Sequence, residues 1–381
     1  MSAADGGAAA GIAVIRDAIA AAAAEGRPCV PRGRGTKSAR TPRADAGRVI
    51  DTAPLAGIVE YEPSEFTVTA LGGTPIAAIE AALAEHRQYL PFDPILVSAG
   101  ATLGGTIAAG VAGSGRVRYG GIRDFVLEVR FLDGEGRLVR GGGKVVKNAA
   151  GFDLPKLMVG SLGSLGVVVE ATLKVFPAPE ATATGTIVLG GLEQAVAAMR
   201  GVLGGPCEVD AIDLEPPSRV WIRVAGRCAA LGPRLERALA IAGEAGRGGK
   251  ERAPRGEALG SAAAAEHWRE MRELAWVPQD AAVIKVPLQL GQIAALEDAL
   301  VAAEPALPVR ALFTGGGQQA LIAWAAERSL RDLDGTLAAA RLSGLVVRGA
   351  AERRRLGCRP GDAALERVRR ALDPGGRFLE P

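Results

Sequence analysis

The sequence predicts an α+β chain in three parts: a glycine-rich part over residues 1–177, an α+β part over 178–345, and a closing helix and tail over 346–381. Three observations carry that reading. Between Ser98 and Phe176, glycines cluster in loops separated by apolar runs instead of being spread through them. Pro177 and Pro179 then punctuate the chain, as prolines do between units. Beyond them, helical periodicity alternates with short strand-like runs.

Each element follows from local pattern. From Ala8 to Glu25, Ile12, Ile15 and Ile19 share one helical face, and Gly26 ends the run. A short apolar piece then leads into Arg32, Gly33, Arg34, Gly35, Thr36 and Lys37. Two glycines, a hydroxyl and three cations after a strand make an anion nest. Residues 48–71 read as strands broken by Pro54 and Pro63, which divides the first part near residue 55. Thr74 and Pro75 open a helix, with a capping hydroxyl and a proline at the first position, and Ile76, Ile79 and Leu83 form its buried stripe. Glycine loops then interleave with the strands FVLEVRFLD and GVVVEATLKVF. Beyond 178, helices over 191–203, 233–245, 256–274, 291–303 and 329–340 alternate with strands over 207–214, 219–225, 281–288, 309–314, 320–325 and 344–348. That order predicts an antiparallel sheet with helices on one face, of ferredoxin-like type. All four tryptophans lie in this part, and a last helix near 361–372 runs into DPGGRF.

Composition excludes several classes. A net charge of +3 and 4 % aromatic residues give neither the long-range field nor the stacking platforms of a nucleic-acid binder. Arginines gather near the C-terminus, which reads as a solvated helix face or a subunit contact. Cys29, Cys207, Cys228 and Cys358 form no CxxC pair, so no metal site or iron–sulfur cluster is expected from this chain alone. Reduced cysteines, no basic leader before an apolar core, and no run of about 20 residues apolar enough to span a bilayer predict a cytoplasmic protein. Contact with the inner face of a membrane would then come only through partners. No GxxxxGK[ST] loop is present; Gly315, Gly316, Gly317 and Ala320 mimic a dinucleotide fingerprint, but the strand-like LIAW that follows makes a hairpin turn the better reading.

Four motifs remain, in order: PRGRGTKS, ATLGGTIAAGVAGSGRVRYGGIRDFV, KVVKNAAGFDL and GSLGSLGVVVEATLKVF. Together they resemble the FAD-binding domain of the vanillyl-alcohol-oxidase family over residues 26–177, and within it the FAD-binding subunits of bacterial glycolate oxidases. The resemblance implies a two-subdomain FAD-binding domain, with subdomains over about 1–55 and 56–177, and a cap-type domain facing the flavin. The closing helix and tail would pack back on the FAD-binding domain. The resemblance further implies that Arg32–Lys37 meet the pyrophosphate and that Ser98, Gly100, Ala101, Thr102, Leu103, Gly104 and Gly105 line its other side. Ala108, Ala109, Gly113, Ser114, Gly115 and Tyr119, with Gly160, Gly163, Gly166 and Val167, would pass close to the ring and its ribityl chain. Bulky residues at those positions would collide with the cofactor. Thr36 and Lys37 stand where some relatives carry a tethering histidine, so the FAD is expected to be non-covalent.

Oxidising a 2-hydroxy acid needs a base, cations for the carboxylate, and a hydride acceptor. Only two histidines are present. His86 follows a helix in a charged run and reads as surface; His267, beside Trp268, reads as a structural helix residue. Leu162 stands where catalytic relatives usually carry glutamate, and Phe152 where they carry tyrosine. Arg116, Arg118, Tyr119, Arg123 and Lys147 could hold an anionic substrate, or equally contact FAD phosphates or neighbouring subdomains. No catalytic residue is assigned. The resemblance implies a small 2-hydroxy acid as substrate, with a catalytic FAD-binding glycolate oxidase subunit and an iron–sulfur subunit as partners. A self-sufficient flavin oxidoreductase and a structural subunit remain open.

Overall fold

The computed structural model describes residues 3–37, 39–40, 45, 47–143, 152–249, 253–303 and 309–379. Helix α1 (Ala3–Ala24) starts before the isoleucine spacing does, because alanine and glycine carry no periodic signal. Its Ile12, Ile15, Ile19 and Ala22 pack with Leu55, Val167 and Val169. Against the expectation that no run could span a bilayer, Gly6–Ala24 is long and apolar enough by length and composition. Alanine supplies that apolarity; the isoleucine face is buried in the core.

Strand β1 (Cys29–Arg32) pairs in parallel with β3 (Arg48–Asp51), and the short β2 (Ala39–Arg40) lies between them in sequence. The end of the chain returns here. The Cys29 N–H donates to the Arg377 carbonyl at 2.7 Å, and Phe378 bridges to Cys29. A five-stranded antiparallel sheet follows, built from β4 (Ile58–Glu62), β5 (Thr67–Leu71), β7 (Val126–Leu132), β8 (Leu138–Gly142) and β9 (Val167–Lys174), in the order β4-β5-β9-β7-β8. Helix α2 (Ile76–Glu85) buries Ile76, Ile79 and Leu83 as the stripe requires. Thr74 does not cap it: its hydroxyl is engaged with the Gly57 N–H and carbonyl, and Pro75 takes the cap position. Strands β6 (Gln88–Tyr89) and β10 (Phe176–Pro177) pair at the exit. Three short helices, α3 (Leu103–Ala109), α4 (Arg116–Tyr119) and α5 (Leu154–Met158), carry the glycine-rich connections.

The second half is built on two βαββαβ units, whose eight strands join two further strands in one ten-stranded sheet. The first comprises β11 (Ala181–Val188), α6 (Leu192–Gly204), β12 (Ala211–Glu215), β13 (Arg219–Gly226), α7 (Cys228–Ala245) and β14 (Glu257–Ala258), ordered β14-β11-β13-β12. After helix α8 (Ser261–Glu273), β15 (Ala282–Pro287), α9 (Ile293–Ala303), β16 (Arg310–Thr314), β17 (Gln319–Trp324), α10 (Leu330–Ala339) and β18 (Ser343–Ala350) repeat the order in reverse. The units join edge to edge where Leu214 of β12 meets Phe313 of β16. The ferredoxin-like expectation thus holds twice over, with Gly315–Gly317 forming the β16–β17 turn and all three at positive φ. Strand β11 escaped sequence reading because its ATATG start alternates small residues without an apolar period. Strand β19 (Arg355–Gly357) extends the sheet past residue 345, β2 pairs in parallel with the end of β18, and helix α11 (Asp362–Leu372) precedes the tail.

One face of the sheet holds the helices around Met199, Leu235, Leu296 and Leu333. From the other face, Val283, Leu321, Ala323 and Val347 share a core with Leu96, Val97 and Ile107 of the glycine-rich half. Each such aliphatic side chain contributes about 1.5–3 kcal/mol on full burial. The two halves are therefore fastened by the same apolar chemistry that holds each together.

Candidate cofactor-binding site

Four segments converge on one cleft. Strand β1 delivers Pro31 and the loop Arg32–Lys37, and β3 ends beside Thr52. Helix α3 and its cap supply Thr102, Gly104, Gly105, Ala108 and Ala109, and the turn before β9 supplies Leu162, Gly163, Gly166, Val167 and Val168. Arg354 enters from the connection between β18 and β19. The packing explains the small residues. A Cβ at Gly33 would overlap Thr102 Oγ1, the same oxygen that accepts from the Gly105 N–H at 3.3 Å to cap α3. A Cβ at Gly104 would press on the Gly72 carbonyl at 3.0 Å. The turn is sewn to α3 by the Gly160 and Leu162 N–H groups, which donate to the Ile107 and Ala108 carbonyls at 3.0 and 2.9 Å.

Electrostatically the cleft is one-sided. Arg32, Arg34, Lys37 and Arg354 line it, and among the described residues no carboxylate does. Lys37 is 7 % exposed, and its ammonium donates to Thr106 Oγ1 at 3.4 Å. Burial pulls its pKa down to about 8, partly offset by the Glu273 carboxylate. Arg354 is drawn down to about 10 by burial. The Nε atoms of Arg32 and Arg354 are shielded from solvent and have no hydrogen-bond partner among the described residues. A buried ammonium is costly to keep charged, and four cations facing one cleft favour an anion there. Backbone close to small residues and cations that approach from two sides fit a diphosphate.

Fourteen of the expected residues meet in this lining: Arg32–Lys37, Thr102, Gly104, Gly105, Ala108, Ala109, Gly163, Gly166 and Val167. Nine lie outside it. Ala101 and Leu103 are fully buried in the core. Gly100 sits against the Arg34 side chain, and the Ser98 N–H donates to Glu273 at 2.9 Å. Gly160 lies on the turn already described. Gly113 and Gly115 pack against the 91–93 turn of their own half, and Ser114 reaches the second half. The Gly113 N–H donates to the Asp93 carbonyl at 2.7 Å, Gly115 backs onto Pro91, and the Ser114 hydroxyl donates to Asp213. Tyr119 packs edge-on against Phe176 at 5.4 Å. Around the same loop, Lys285 donates to the Gly110 carbonyl at 2.9 Å and Gln319 to the Ala112 carbonyl at 2.6 Å. These residues join the lobes.

The other candidates are also placed. Arg116 bonds Gln318, Arg118 pairs with Glu208, Arg123 is exposed, and Lys147 lies outside the described residues. Phe152 is 93 % exposed and lies outside the cleft. His86 is exposed against Tyr61. His267 stacks on Trp221 with ring centroids 3.7 Å apart, and burial with the nearby Arg223 and Arg219 pushes its pKa down to about 4. Neither histidine reaches the cleft, and no metal-ligand cluster occurs among the described residues. Sequence reading missed Pro31, Thr52, Val168 and Arg354, while Leu162 lies within the 160–167 loop expected near the ring. Leu162 takes a left-handed backbone (φ +57°) that a leucine does not announce in sequence. Arg354 gave no signal, because it meets the Lys37 carbonyl, 317 residues away, only once β18 and β19 have paired.

This is the two-lobed fold of FAD-dependent oxidoreductases of the vanillyl-alcohol-oxidase type. Residues 8–142 match the family described as an FAD binding domain, so the chain carries that domain and binds FAD. It is similar to glycolate oxidase subunit GlcE of Escherichia coli, 46 % identical over 155 residues, which cover 41 % of this chain and 44 % of that protein. Glycolate oxidase subunit GlcD of Bacillus subtilis is 34 % identical over 158 residues, covering 41 % of this chain and 33 % of that one. D-2-hydroxyglutarate dehydrogenase of Xanthomonas citri pv. viticola is 33 % identical over 168 residues, covering 44 % and 34 %. Each match thus spans less than half of the relative's length. A solved alkyldihydroxyacetonephosphate synthase superposes with a TM-score of 0.69 at 14 % identity, covering 96 % of this chain and 74 % of that one. That likeness shows the shared fold.

Proposed function

We propose that this chain is the FAD-binding accessory subunit of a glycolate oxidase-type complex, which oxidises glycolate to glyoxylate together with a catalytic flavoprotein and an iron–sulfur partner. The observation that carries this reading is the content of the cleft. It has cations for a diphosphate, but among the described residues it has no histidine or carboxylate to take a hydroxyl proton. The greater identity to GlcE than to GlcD supports the accessory assignment. When bound, FAD supplies the hydride or electron acceptor. The chain's own residues hold its phosphates, keep bulky groups away from it, and brace the 110–115 loop against the second half. With no cysteine or histidine in the described lining, the FAD is held non-covalently. The complex works in the cytoplasm and meets the inner membrane face through its partners.

The test is the visible absorption spectrum of the purified chain, recorded before and after anaerobic glycolate. A flavin spectrum that glycolate leaves unbleached is the expected result. Bleaching would show that the chain oxidises the substrate by itself and would overturn the accessory assignment. Flavin remaining in an acid-precipitated pellet would overturn non-covalent binding.

A further inference from the structure

Three consecutive arginines follow β18, and they behave differently. Arg353 pairs with Asp334, and Arg355 pairs with Asp362 at 2.8 Å. Arg354 between them turns inward and has no ion pair among the described residues. Its Nη2 donates to the Lys37 carbonyl at 3.3 Å, its Nε is buried with no partner among those residues, and its side chain lines the same cleft as Lys37 and Arg32. The backbone repeats this connection: Gly349 and Ala350 pair in parallel with Ala39 and Arg40, just past the loop. The second half of the chain therefore reaches the first glycine loop twice, once by strand pairing and once by a guanidinium.

A single neutral hydrogen bond does not account for that guanidinium. A tie to the Lys37 carbonyl needs one donor, and a full charge is an expensive way to supply it. An anion in the cleft resolves the cost, since a guanidinium presents its donors in a fork that suits phosphate oxygens. We propose that Arg354 is a ligand of the FAD diphosphate supplied by the C-terminal sheet, so that FAD binding fastens that sheet to the first glycine loop. The cofactor then acts as a clamp across the two halves of the chain as well as a redox group. An apo chain has the apolar interface, the β2–β18 pairing and the single Arg354–Lys37 hydrogen bond to hold this edge.

The discriminating variant is Arg354→Gln, which keeps a donor for the Lys37 carbonyl and removes the charge. FAD affinity is read by quenching of flavin fluorescence on the full chain, and apo stability by melting. Amide hydrogen exchange over 29–37 and 343–357 is followed with and without FAD. The expected result is an affinity loss of at least tenfold with the apo melting temperature unchanged, and loss of FAD-dependent protection over 343–357. Arg354→Lys, which restores charge without the fork, falls between the two. An Arg354→Gln affinity within twofold of wild type overturns the proposal and leaves Arg354 a structural tie. Should that variant not fold, wild-type exchange decides: protection by FAD over 29–37 without protection over 343–357 overturns the clamp.

Discussion

Lys37 makes FAD binding sensitive to pH, with a sign and size that can be worked out. Desolvation, partly offset by Glu273, lowers its pKa from 10.5 to about 8 before any ligand binds. A diphosphate beside the ammonium favours the charged form and raises that value again. Below pH 8 the unliganded site already carries the proton, so affinity is flat. Above pH 8 the empty site has lost it, and binding must take a proton up. The dissociation constant then rises by up to tenfold per pH unit, reaching about thirtyfold between pH 7 and pH 9.5, or about 2 kcal/mol. The range stops at pH 9.5 because Arg354, drawn down to about 10, is by then about a quarter deprotonated and adds a small loss of its own. FAD's diphosphate stays fully ionised throughout.

Flavin fluorescence titration across pH 7–9.5 measures the curve. Calorimetry at pH 9 in two buffers of different ionisation enthalpy measures the proton uptake directly, with about 0.9 proton per FAD expected. Lys37→Gln is the control: its affinity is lower at pH 7 and flat above it. A wild-type affinity that does not change up to pH 9.5, or a slope that survives in Lys37→Gln, would refute the assignment of Lys37 to the phosphate site.

The remaining expectations concern packing and the junction between halves. Gly33→Ala puts a methyl into Thr102 Oγ1; FAD affinity falls at least tenfold, and adding Thr102→Ala restores much of it at the cost of about 1 kcal/mol of helix capping. Asp213 is fully buried, and burial outweighs the hydrogen bonds from Ser114, Thr314 and Gly315 to raise its pKa to about 6. The folded chain therefore holds this proton more tightly than the unfolded one. Its stabilising contribution is complete below pH 3.8 and lost as pH rises through 6, about 3 kcal/mol in all. Denaturant melts at pH 4–7 should show a flatter profile for Asp213→Asn than for wild type; equal slopes would refute it. His267→Phe keeps the stack on Trp221 and should leave FAD affinity within twofold while changing tryptophan fluorescence. A tenfold affinity loss would place this ring in the cofactor site after all.

What the sequence revealed, and what it hid, follows one physical division. Features fixed within a few residues were legible. The isoleucine face of α1, the turn at Gly315–Gly317 and the cationic glycine loop at Arg32–Lys37 all sit where local pattern put them. In those cases sterics or periodicity act along the chain, and one stretch contains its own reason. Features that arise where distant strands meet were not legible. The second βαββαβ unit could be read as elements but not as a repeat, because the relation lies in strand order and not in residue type. Ser114 illustrates the same limit. Its glycine-rich setting matched a cofactor loop, yet its hydroxyl is committed to Asp213, 99 residues away. Small residues permit close approach without specifying what approaches, and this hydroxyl is met by a carboxylate of β12. Arg354 is the converse. Its run of arginines looks like solvated charge until β18 and β19 turn it inward. The inward turn that hid its role from sequence reading leaves its charge without an ion pair among the described residues, and that unpaired charge beside Lys37 is the physical basis for assigning it to the cofactor.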